Sequence, residues 1–167
     1  LMLMMVCMAH GAQFLCLKTE GDIQKRAAAV SGPIAIVALV LAAGWIFWGQ
    51  LAYATNAFAW IPLGVAALAL IVSTALAQAP VHRPGWAFVF SSIGIAGAVS
   101  WIFTAMAPNV MKSTVPEYSL TIPLASSTTG TLQVMSIVAL IFVPIVLGYT
   151  IWSYWVFRSR VSITEVD

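Results

Sequence analysis

Charge is scarce in this chain. Only 7 Lys or Arg and 5 Asp or Glu occur among 167 residues, 7% charged against 62% hydrophobic, where water-soluble domains carry about 25% charged residues. A free-standing soluble domain is excluded, and an integral membrane protein is indicated. Histidine and cysteine are equally thin, with two of each. Cys7 and Cys16 stand nine residues apart in one apolar run. At about 3.6 residues per turn and 1.5 Å rise they fall on opposite faces, roughly 13 Å apart, which excludes a disulfide or a shared metal within that helix. Both are read as buried thiols acting as small hydrophobes. Phosphate loops, nucleophile elbows, zinc-spaced ligands and nucleic-acid motifs are absent, so no nucleic-acid partner is expected. No Asp, Glu, Lys or Arg lies inside an apolar run. That argues against a proton-driven transporter core or a charged ion pathway in this stretch.

What the chain does have is apolar segments, at residues 1–17, 27–53, 58–79, 86–107 and 132–157. A spanning helix needs about 20 apolar residues, so the last four qualify. The first reads as a helix cut off at its start: Leu1 is not an initiator residue, and the chain opens inside an apolar run. Part of a longer protein is therefore expected. The first run is not a secretory signal, since no basic region precedes it. Barrel strands would alternate over about 10 residues, and these runs do not. The expected fold is all-α and integral to the membrane. It is a single transmembrane helical domain over residues 1–167, with about five spans, the first truncated, and a loop at 108–131.

The connections alternate in charge. Lys18, Lys25 and Arg26 follow the first segment, Arg83 (beside His82) follows the third, and Arg158 and Arg160 follow the fifth. The intervening loops carry only Lys112, giving six bases against one. Short loops rich in Lys and Arg stay cytoplasmic, which places the C-terminus inside and the 108–131 loop outside. Tyr149, Trp152, Tyr154 and Trp155 suit the inner headgroup level, and Trp60 and Trp101 the outer one. Small residues recur at packing spacing, Ala35, Ala38 and Ala42 in one segment and Ser91, Gly94, Gly97 and Ala98 in another. Such stripes let helix backbones approach closely in lipid. Pro33 and Pro62 are expected near helix starts, where the missing N–H is harmless. Pro144 is interior and expected to kink the last helix, a packing feature rather than a gate.

His10 is the one side chain inside an apolar run that can carry a charge near neutral pH. Such groups are functional candidates by default: a haem or metal ligand, a proton-relay member, or a neutral imidazole bonded to a neighbouring helix. With His82 assigned to a distant cytoplasmic loop, the residues favour the structural reading. No catalytic, cofactor-binding or metal-ligating residue is assigned. In the loop, Tyr118, Leu120, Ile122 and Leu124 alternate with Ser119, Thr121 and Pro123. This period of two predicts an extended strip with one apolar face buried on the outer end of an assembly. Thr131 follows as a plausible N-cap of the last helix.

Five stretches in order, HGAQFLCLKTEGDIQKRA, GWAFVFSS, APNVMKST, YSLTIPLASSTTGTLQVM and VPIVLGYTIWSYWVFR, together resemble subunit II of cytochrome bd-type quinol oxidases, in its C-terminal half. The resemblance covers nearly the whole chain. It implies one four-helix bundle plus an extra helix, within a bacterial plasma-membrane complex that oxidises quinol, reduces oxygen to water and builds a proton gradient. It also implies that haems of b and d type and the quinol-oxidation site belong to the partner, subunit I, and that this chain carries no haem. Membrane lipid and small accessory single-span subunits are further implied partners. The family's proton-admitting acidic residues lie in the other half of the subunit, so none is carried over. The residues alone leave two alternatives. Half of a secondary transporter would need mid-membrane polar groups and an inverted repeat, and no repeat is visible. The other is a structural membrane scaffold.

Overall fold

The structure, a computed structural model, describes residues 1–54, 56–78 and 83–160. His82 and the last residue of the expected 58–79 span lie outside them. The chain forms two compact units, one built on residues 1–107 and the other on residues 108–159.

The first unit is a four-helix bundle of α1 (Met2–Lys18), α2 (Asp22–Tyr53), α3 (Trp60–Ala77) and α4 (Pro84–Met106). Contacts run α1 to α2, α2 to α3, α3 to α4 and α4 back to α1. Short connections force this antiparallel order. The α1–α2 turn is made by Gly21, whose φ of 73° lies in the left-handed region that costs glycine little. Side chains then tie the hairpin: Thr19 Oγ1 donates to the Leu15 carbonyl (2.7 Å) and Gln24 Nε2 to the Cys16 carbonyl (3.2 Å). Both carbonyls belong to the last turn of α1, where Leu15 also accepts the Thr19 backbone N–H at 3.0 Å.

Helix α2 is 32 residues long, about 48 Å at 1.5 Å per residue, longer than the roughly 30 Å hydrocarbon core. It starts at Asp22 rather than at residue 27, because Asp22, Lys25 and Arg26 form a polar first stretch that extends the helix beyond its apolar part. The expectation for Pro33 is thereby corrected. It sits in the helix interior and removes one backbone donor there. The neighbouring helix grips this weakened stretch. Gln78 Nε2, just past α3, donates to the Gly32 carbonyl at 3.0 Å, as adjoining helices do where prolines interrupt membrane spans. Pro62, by contrast, lies in the first turn of α3.

The bundle interior is built from small residues. Ala9, Ala35, Ala38, Ala77 and Ala87 form one buried cluster, and Ile46, Ala59, Trp101 and Ala105 another. Helices α3 and α4 approach closely at Gly97, where a Cβ would meet the Ala66 backbone nitrogen at 3.0 Å. The Ala35/Ala38/Ala42 and Ser91/Gly94/Gly97 stripes face inward. Trp101 does not serve as a headgroup anchor. It is 4% exposed, because its indole N–H finds a partner inside, donating to Gln50 Oε1 at 2.7 Å. Trp60 remains half exposed. Cys16 is buried but Cys7 is exposed, the consequence of their opposite faces.

The second unit begins with an antiparallel pair, β1 (Asn109–Met111) and β2 (Leu120–Thr121), joined through a turn of 3-10 helix at Pro116–Tyr118. A short α5 (Ile122–Ala125) and the long α6 (Thr129–Val156) follow. The extended strip expected over residues 118–124 is thus limited to Leu120–Thr121. Proline favours the first turn of a helix, and Pro123 starts α5 instead of prolonging the strand. Tyr118 and Leu124 are exposed, at 78% and 74%. The N-cap of α6 is Thr128 rather than Thr131; the two hydroxyls bond each other at 2.9 Å. Helix α6 runs through Pro144 without a break in its assignment. Near its end Arg158 stacks over the Trp155 ring, 4.8 Å from the centroid. Helices α2, α3 (with its preceding turn), α4 and α6 are each long and apolar enough to cross a membrane, and α1 is a shorter apolar helix.

Candidate functional site: the polar core of the bundle

Polar side chains gather where α1, α3 and α4 meet. On α1, His10 and Gln13 are three residues apart and so share a face. His10 Nδ1 lies 2.7 Å from Ser91 Oγ of α4, and its ring stacks on Phe88 with centroids 4.4 Å apart and planes at 20°. Ser91 Oγ also donates to the Phe88 carbonyl at 2.9 Å. A hydroxyl has one proton. With that proton on the Phe88 carbonyl His10 donates from Nδ1, and with it on His10 Nδ1 accepts. Gln13, 2% exposed, donates from Nε2 to Ser73 Oγ at 3.2 Å, and Ser73 in turn donates to the Ala87 carbonyl at 2.8 Å. Thr74 Oγ1 bonds back to the Leu70 carbonyl at 2.8 Å.

Among the described residues the buried polar ones, Gln13, Ser31, Gln50, Ser73 and Ser91, are all uncharged. This core can bind by hydrogen bonds and position helices; among the described residues it brings together no nucleophile–base pair. No group of three or more His, Cys, Asp or Glu able to hold a metal ion occurs among the described residues. A haem does not fit beside His10. The cavity there measures about 20 Å³, room for a single water molecule, and Phe88 covers the imidazole face.

His10 was the residue visible in sequence; Gln13, Ser73 and Gln50 were not. The available signal was spacing. Gln13 falls on the His10 face of α1, and Ser91 is the first member of the small-residue stripe on α4.

A bundle of apolar helices joined by uncharged hydrogen bonds defines a multi-pass membrane protein of the all-α class. Its family is specific: the profile of the family described as cytochrome bd terminal oxidase subunit II matches residues 1–157, and the chain belongs to that family. It is 38% identical over 169 residues to the cytochrome bd ubiquinol oxidase subunit 2 of Bacillus subtilis (strain 168), covering 96% of this chain and 48% of that protein. It is 32% identical over 190 residues to the cytochrome bd-I ubiquinol oxidase subunit 2 of Escherichia coli (strain K12), covering 95% and 50%. A probable cytochrome oxidase subunit 2 of Haemophilus influenzae (strain ATCC 51907 / DSM 11121 / KW20 / Rd) is 31% identical over 191 residues, covering 95% and 50%. The chain spans about half the length of the curated relatives it matches.

One prediction arises here. His10→Gln keeps a donor and an acceptor and is expected to leave haem content and oxygen turnover of an assembled oxidase nearly unchanged. His10→Leu removes the bond to Ser91 and should lower stability by roughly 0.5–2 kcal/mol, the range of interhelical hydrogen bonds in membranes. Redox difference spectra and thermal retention of the complex check both. Loss of one haem's absorption in the glutamine variant would make His10 a ligand.

Proposed function

We propose that this chain is the C-terminal half of subunit II of a bacterial cytochrome bd-type quinol:oxygen oxidoreductase. It is a haem-free membrane subunit that supports the haem-bearing subunit I while that partner oxidises quinol and reduces oxygen to water in the respiratory chain. The observation that carries this reading is the family match over residues 1–157. The names of the Bacillus and Escherichia relatives as ubiquinol oxidase subunits support it. When bound in the partner, haems of b and d type would supply the electron transfer and oxygen chemistry. The residues of this chain hold a rigid span. Small side chains set the helix spacing, Gln13–Ser73 and Gln50–Trp101 pin neighbouring helices, and the apolar outer faces meet lipid, subunit I and small accessory single-span subunits. With no charged side chain buried among the described residues, the transporter alternative finds no support here. The experiment is deletion of the full-length subunit. Membranes from the deletion strain should lose quinol-dependent oxygen uptake through this oxidase, and the restored gene should return it. Unchanged uptake would refute the proposal.

The location proposed is the bacterial plasma membrane with the C-terminus cytoplasmic, on the six-to-one asymmetry of Lys and Arg. Helix α6, at 28 residues, is about 42 Å long and can put its ends on opposite sides of the membrane. Single cysteines at Ser126 and Ser159 in a cysteine-free background should therefore react with an impermeant thiol reagent from opposite sides, Ser126 from outside. Labelling of the Ser159 position in intact cells would reverse the orientation.

A further inference from the structure

We infer that the polar core of the α1–α4 bundle is a binding site for one water molecule, held by Gln13 Oε1 inside the cavity beside His10. The starting point is the amide of Gln13. Ser73 has one hydroxyl proton and gives it to the Ala87 carbonyl at 2.8 Å, so Gln13 must present its N–H to Ser73, as it does at 3.2 Å. Turned round, the amide would set its oxygen against a Ser73 hydroxyl whose proton is given to Ala87. Its orientation leaves Oε1 buried and without a hydrogen-bond partner among the described residues. Buried acceptors are seldom left unpaired, and inside a membrane bundle no bulk solvent can reach this one.

Beside it lies the cavity of about 20 Å³, lined by His10, Gln13, Ser73, Thr74 and Ser91 together with aliphatic residues. A buried water needs about 10–15 Å³ and two to four polar partners, whereas empty cavities are apolar. This one is polar and of the size for a single molecule. Its chemistry also chooses the ligand. The hydroxyls of Ser73, Thr74 and Ser91 all spend their protons on backbone carbonyls. His10 adds an imidazole to the lining, its Nδ1 2.7 Å from Ser91 Oγ. The lining therefore offers several acceptors and, in the second N–H of Gln13, a further donor, which suits a small molecule that both donates and accepts. Water meets that description. Its role is to complete the hydrogen-bonded set that ties α1 to α3 and α4.

The test is electron cryo-microscopy of the assembled complex with the full-length subunit in nanodiscs, at a resolution that shows buried waters elsewhere in its membrane core. The expected result is one isolated density peak within hydrogen-bond distance of Gln13 Oε1, and disappearance of that peak in Gln13→Met, which keeps length but removes the amide. Three results would overturn the inference: no peak in the wild-type map, a protein donor bonded to Oε1 there, or a peak that persists in Gln13→Met. An elongated density, as from an acyl or isoprenoid chain, would overturn it too. If the methionine variant does not assemble, the wild-type map decides alone.

Discussion

Replacing Gly97 with leucine should separate α3 from α4 and is expected to be among the most damaging single changes in this chain. A side chain at Gly97 would start at a Cβ only 3.0 Å from the Ala66 backbone nitrogen and 3.1 Å from its Cα and Cβ. Backbone cannot swing aside as a flexible side chain can. Overpacking of a filled interior costs typically about 1–3 kcal/mol and sometimes more; with backbone as the obstacle the upper end, about 3 kcal/mol or more, is expected. In lipid, close approach through small residues is what holds helices together, so the loss falls on the bundle itself. Gly97→Ala should show the same sign with a smaller effect. Gly11→Leu is the comparison, since a Cβ there meets nothing within 4 Å in this chain. The measurement is the temperature at which the detergent-solubilised complex loses its subunits. If Gly97→Leu and Gly11→Leu melt alike, the α3–α4 contact is not as close as described.

Trp101→Ala should be comparably severe. The indole is 4% exposed, packs edge-on against Trp45 with centroids 5.5 Å apart and donates to Gln50 Oε1 at 2.7 Å. Removing a buried Trp side chain costs about 3–5 kcal/mol through lost contacts and the cavity left behind. Trp101→Phe separates the two contributions. It keeps most of the packing but leaves Gln50 Oε1 without its donor, an expected loss of about 1–3 kcal/mol. Thermal retention of the complex again reads both. A phenylalanine variant as stable as the wild type would show that the Gln50 bond adds nothing.

The spans were legible in the sequence because the signal was dense: long runs without charge admit few structures other than helices in lipid. The packing stripes were legible for a related reason, since alanine, glycine and serine at helical spacing have few uses in lipid besides close approach. Boundaries were less so. The start of α2 was hidden because Asp22, Lys25 and Arg26 do not look apolar, yet a helix may extend past the membrane core wherever its backbone bonds continue. That earlier start is what moved Pro33 into the helix interior. Trp101 was misread as a headgroup anchor because an aromatic residue near a span's end suits the interface and the interior equally. Only its partner, Gln50, fifty-one residues away in sequence, separates the two. The alternation over residues 118–124 suggested a longer strand than forms, since a pattern of side chains does not report where Pro123 begins a helical turn.

The polar core was the least legible part. His10 stood out as the only group in an apolar run that can be charged near neutral pH, but Gln13 and Ser73 carry no charge and lie sixty residues apart in the chain. Nothing in the local pattern joins them. Their pairing follows from the antiparallel order of the bundle, which brings α1 beside α4 and leaves α3 within reach.

The most direct test of the central claim, that this is a haem-free subunit serving a haem-bearing partner, is affinity purification through a tag on the full-length subunit, followed by redox difference spectroscopy of the intact and the dissociated material. The expected result is a second, larger-spectrum component: b- and d-type haem bands and quinol-dependent oxygen uptake in the intact complex, with every haem band following the partner after dissociation. Haem bands that stay with the tagged subunit, or a purified complex with no haem at all, would contradict the account.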